Sequence, residues 1–148
     1  MQTHPYLRAY MAGIVVPTVA VAFAIIVFFI ARYVFHVPIP VERVVIFPMA
    51  LVPTLFGLWN MFYVRLHKTH QLRLGVHGAL LPVVLIPLGL AGALLLDFVK
   101  LGATGIVWFE TVRVPYYLLL LWLGVVIIGY YLVWKYLVAF CNDVLGIA

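Results

Sequence analysis

The residues best suited to chemistry are His67, Lys68, His70, Arg73 and His77, gathered within eleven positions of a 148-residue chain. His67 and His70 are three apart, so on a helix they share a face, and with His77 they could ligate a transition metal. The same side chains, with Lys68 and Arg73, could instead grip the phosphate of an anionic lipid. No Cys, Asp or Glu stands close by to complete a metal set. The cluster therefore reads as a solvated basic connection with anionic-lipid contact as its candidate chemistry, and no metal or other cofactor is expected. A single haem held by two histidines is not expected either, because His36 and the others fall near opposite membrane faces.

Nucleophilic chemistry finds no support. The chain has no serine, and Cys141 has no histidine neighbour in sequence. Asp97 and Lys100 fall near the end of an apolar run, where they read as an interfacial pair. Ion-coupled transport would place an ionisable group deep within a span, and none lies near a midplane. The polar groups left inside the runs are Thr18, Thr54 and Asn60, which suit hydrogen bonds between helices.

What must position these residues follows from composition. Hydrophobic residues make up 68% of the chain and charged ones 9%, with a mean hydropathy of +1.23, which exceeds what a water-facing surface accommodates. Lipid is the expected solvent. The net charge of +5 comes from nine Lys and Arg spread along the chain, which suits membrane anchoring and lacks the continuous basic surface that nucleic acid requires. Cys141 is alone, so packing must hold the fold without an intrachain disulfide.

A bilayer core about 30 Å thick needs roughly 20 apolar residues per spanning helix. Four runs qualify: Met11–Phe35, Val44–Leu66, Val76–Phe98 and Val114–Phe140. Their continuous hydrophobicity predicts helices, since barrel strands would alternate apolar and polar residues. The first run is too long for a typical signal core and reads as a retained helix. Arg8, Arg65, Lys68, Arg73 and Lys135 fall on one side, against Arg32, Arg43, Lys100 and Arg113 on the other. The short basic middle connection tips the balance and predicts both termini in the cytoplasm. Trp59, Tyr63, Tyr130, Tyr131, Trp134 and Tyr136 would then mark the cytoplasmic interface, and Trp108, Tyr116 and Tyr117 the opposite one.

The chain also resembles itself. Leu7, Arg8, Gly13, Pro17 and Val19 recur as Leu72, Arg73, Gly78, Pro82 and Val84, a constant offset of 65 residues. Further along, Glu42 and Arg43 precede the second run as Glu110 and Arg113 precede the fourth, with the offset slipped. These matches predict an all-α membrane protein of two tandem hairpins, 1–67 and 68–148, in a single transmembrane domain. An even number of crossings gives both hairpins the same orientation, hence an approximate twofold along the membrane normal. Gly13, Pro17, Ala20 and Ala24 form a stripe on the first helix, and Gly78, Pro82, Gly89 and Gly92 its counterpart on the third. Small residues at such spacing favour close helix approach in lipid, so the first and third helices are expected to meet along them.

The expected function is that of a noncatalytic membrane protein acting through helix packing, as an accessory subunit or assembly module. Its partners would be membrane lipids and another membrane protein or a second copy. The alternative is a small oligomeric channel or transporter for a neutral or weakly polar solute, suggested by Pro48, Pro53, Pro82 and Pro87, each of which can kink its helix. A bacterial inner membrane is the expected location.

Overall fold

The computed structural model describes residues 4–36, 47–70, 72–97, 99–108 and 112–147. Its helices are α1 (Pro5–Tyr33), α2 (Phe47–His70), α3 (Leu74–Leu95), α4 (Tyr116–Leu132) and α5 (Ala139–Val144). A π-helical segment, Val133–Val138, joins α4 to α5. Among the described residues, Pro5–Tyr33, Leu74–Leu95 and Tyr116–Val144 are long and apolar enough to cross a membrane. At 1.5 Å per residue even the 22 residues of α3 reach about 33 Å, longer than the roughly 30 Å hydrocarbon core. The 24-residue α2 is not among the three found in the described residues.

The expected all-α architecture needs one correction. Between α3 and α4 lies an antiparallel sheet of β1 (Val99–Leu101), β2 (Gly105–Trp108) and β3 (Val112–Pro115), in the order β1-β2-β3. Its segments Val-Lys-Leu and Val-Arg-Val alternate apolar and basic residues and Gly-Ile-Val-Trp holds two adjacent β-branched residues, a short strand signal hidden by the apolar run that follows. The fourth helix therefore begins at Tyr116, after Pro115, and not at Val114. Gly102 closes the first turn by donating its amide to the Gly105 carbonyl at 2.9 Å. The Tyr116 hydroxyl donates to the Gly102 carbonyl at 2.7 Å, tying the turn to the start of α4. Gly105 is required by close approach, because a Cβ there would collide with the Val114 carbonyl and lie 2.9 Å from Pro115 Cα.

The contacts divide the chain into two units, Met1–Leu72 with Tyr136–Ala148, and Arg73–Lys135. In the first, α1 packs along α2, and α5 adds to α1. The final residues thus group with the first hairpin, whereas the sequence repeat assigns them to the second. In the second unit α3 packs along α4 and the sheet caps their connection.

The end of α5 shows why glycine stands at 146. Gly146 has φ 61°, its amide donates to the Asp143 carbonyl at 3.0 Å, and Ile147 donates to Asn142 at 2.9 Å. This is a Schellman closure, which needs a left-handed residue after the helix. A Cβ at Gly146 would also lie 2.7 Å from Arg8 Nη2. We therefore expect Gly146→Ala to lose about 1 kcal/mol from backbone strain alone, measured as a lower Tm in detergent.

Candidate functional site

The two buried asparagines of the first unit, Asn60 and Asn142, converge on one point. Asn60, fully buried on α2, donates from Nδ2 to the Ala9 carbonyl of α1 at 2.8 Å. The same nitrogen donates to Asn142 Oδ1 on α5 at 2.8 Å. Asn142 Nδ2 donates back to Asn60 Oδ1 at 3.3 Å. Three helices are thus joined by a reciprocal amide pair, the arrangement that satisfies both side chains without water. Ala9 and Ala12 are fully buried beside it, because α1 can approach this closely only where its side chains are small.

Gly13 completes the approach. A Cβ there would meet the Phe56 carbonyl at 2.7 Å, Gly57 Cα at 2.9 Å and Asn60 Cβ at 3.0 Å. One turn away, Gly57 of α2 accepts the ring of Tyr10, whose Cδ2 would lie 2.5 Å from an added Cβ. Thr18, expected to bond between helices, instead donates to the Ile14 carbonyl of its own helix at 2.6 Å. This back-bond one position beyond Pro17 keeps the hydroxyl satisfied inside an apolar helix.

The second unit also brings glycines against large side chains. A Cβ at Gly78 would fall onto Cβ and Cγ of Trp134, and one at Gly75 would lie 2.8 Å from the Tyr131 ring. Trp134 is fully buried and meets His77 edge-on at 5.9 Å between ring centroids. Trp134 is therefore a core residue, where the sequence suggested an interfacial one.

The sequence-predicted residues separate accordingly. Gly13, Pro17, Gly78 and Pro82 are buried, Ala24 and Gly92 are half-buried, and Ala20 and Gly89 are exposed. Gly13 and Gly78 both serve contacts inside their own hairpins, while a Cβ at Gly89 or Gly92 meets nothing within 4 Å. Of the basic cluster, Arg73 is exposed at the start of α3. His77 is only 2% exposed, so it leaves the surface cluster for the core, out of reach of a headgroup. His67, Lys68 and His70 belong to α2, but their side chains lie outside the described residues. Among the described residues no three His, Cys, Asp or Glu side chains converge as metal ligands would. Sequence reasoning missed Asn142; its signal was a second asparagine in a chain whose apolar runs hold few polar residues.

Neither a protein-family model nor a curated protein nor a solved structure matches the chain.

Proposed function

We propose that this is a noncatalytic polytopic membrane protein that works through helix packing, as an accessory subunit or assembly module in a bacterial inner membrane. The observation that carries this reading is the contrast between its interior and its exterior. Asn60 and Asn142 are committed to tying helices together, whereas α4 has no buried residue along Tyr116–Leu132. Leu121 is 71% exposed and Leu120 70%, an apolar surface that lipid or another helix must cover.

In this reading the protein crosses the membrane four times, with α2 as the remaining crossing and both termini in the cytoplasm. Two tandem hairpins of one design are supported by paired contacts. Gly13 with Asn60 and Tyr10 with Gly57 correspond to Gly78 with Trp134 and Gly75 with Tyr131. The leading helices keep the 65-residue offset, and Gly57 to Tyr131 and Asn60 to Trp134 are both 74 apart. In the second correspondence glycine and aromatic have changed sides. Such an exchange preserves summed volume at the crossing, which is what close packing demands.

Topology is tested by single cysteines near Thr69 and Thr104 in a Cys141→Ala background. The first should react with an impermeant thiol reagent only from the cytoplasmic side and the second only from outside; the reverse would overturn the assignment. For function, crosslinking in native membranes followed by mass spectrometry should capture one recurrent membrane partner or a second copy. Solute flux in liposomes, with no other membrane protein captured, would favour the channel reading instead.

A further inference from the structure

We propose that the segment Tyr136–Ala148 is exchanged between two copies of the chain, the segment of each seating on α1 and α2 of the other. This deepens the assembly reading, on which it rests, by naming a second copy as the partner and the C-terminal segment as the contact.

The segment carries its own seating face. Val138 and Asn142 are buried and four residues apart, hence on one side of a helix. Phe140 and Val144, turned from that side, are exposed. Asn142 is bonded to Asn60 in both directions, and α5 packs on α1. Arg8 Nη2 lies 2.7 Å from where a Cβ of Gly146 would stand. These partners all belong to Met1–Leu72. A second copy offers the same partners to the same segment, so seating there forms the same bonds.

Connectivity supplies the reason for exchange. The chain immediately before the segment belongs to the other unit, Arg73–Lys135. A single copy therefore links its two units twice, by residues 71–73 between α2 and α3 and again through the α4 run. Seating the segment at home requires both links to close together. At the second link α-helical bonding gives way, because the π-helical turn Val133–Val138 spans the boundary between Lys135 and Tyr136. Such turns are rare, and each holds one residue more than an α turn, a change of phase of about 100°. An acceptor on a second copy is not tied to the donor by residues 71–73, so the joint is free of that double closure. Each copy gives one segment and receives one, and the pair closes on a twofold.

The test uses full-length copies with two different tags, co-expressed. In a Cys141→Ala background one copy carries Asn60→Cys and the other Asn142→Cys, positions whose native side chains meet at 2.8 Å, and native membranes are treated with a short bis-methanethiosulfonate. A bridged band carrying both tags at twice the monomer mass is expected. A chain carrying both cysteines that bridges and still runs as a monomer, with no bridge between the singly substituted copies, would overturn the exchange. Copies without cysteine changes give a second measurement. They should copurify in mild detergent, and deletion of Leu137, an exposed residue of the π turn, should abolish copurification while circular dichroism stays native, because an α-helical joint lets the segment seat at home. Absence of copurification before the deletion, or its persistence afterwards, would each overturn the proposal. Failure of the assembly reading is read separately, from native-membrane crosslinking that captures neither a copy nor another membrane protein.

Discussion

Replacing Gly78 with alanine should destabilise the protein by about 1–3 kcal/mol, the usual cost of forcing atoms into a filled core. The added methyl would overlap Cβ and Cγ of Trp134. Those atoms lie at the root of the side chain, so the indole cannot swing away without its backbone moving. Helix propensity opposes the loss, since alanine is favoured over glycine in a helix interior by about 1 kcal/mol. The balance at Gly78 is still unfavourable. At Gly89, where a Cβ meets nothing within 4 Å, only the propensity term remains. Gly89→Ala should therefore leave Tm unchanged or raise it. Thermal denaturation of both variants in the same detergent checks the pair, and equal destabilisation would refute the assignment of Gly78 to the crossing. A lower Tm at Gly89 seen only in an oligomeric preparation would instead identify its face as a contact between copies.

Asn60→Ala should be comparably damaging, by a different mechanism. It removes the donor to the Ala9 carbonyl and both bonds to Asn142, leaving the 4% exposed Asn142 amide inside the packed unit. A stranded buried polar group costs about 1–3 kcal/mol in water-soluble proteins. In membranes the measured coupling of such bonds is smaller, averaging about 0.6 and reaching about 1.7 kcal/mol, because the unfolded reference also finds partners. We expect a loss between these limits, accompanied by release of the C-terminal segment. Protease cleavage near Leu145 should then accelerate before the helices unfold. Asn60→Leu combined with Asn142→Leu should be less destabilised than the sum of the single changes, since neither amide is left stranded. Additive losses would show that the two asparagines act independently. An unaltered cleavage rate in Asn60→Ala would show that α5 is held by other contacts.

Much of the architecture was legible in order of residues alone. Continuous apolar runs of bilayer length determine spanning helices, because in hydrocarbon each backbone amide must find its partner within the segment. That argument needs no tertiary information, and α1, α3 and the α4 run meet its length and apolarity requirements. The sheet escaped it because three short strands beside a long apolar run carry a weak period-2 signal. Glycine placement was half legible. A periodicity puts Gly13, Gly78 and Gly89 on defined helix faces, yet it does not say which face meets a neighbour. Only the folded chain distinguishes Gly78, pressed against Trp134, from Gly89, with open space before it. The same limit governs the polar groups. Sequence placed Asn60 among candidates for an interhelical bond, but its partner Asn142 lies 82 residues away, and no local pattern links positions that distant. His77, four residues after Arg73 in the chain, turns inward to Trp134, one helical step of about 100° from the exposed Val76. Hydrophobicity and spacing therefore determined which segments suit lipid, while the rotation and crossing of each helix decided which small, polar and aromatic residues meet.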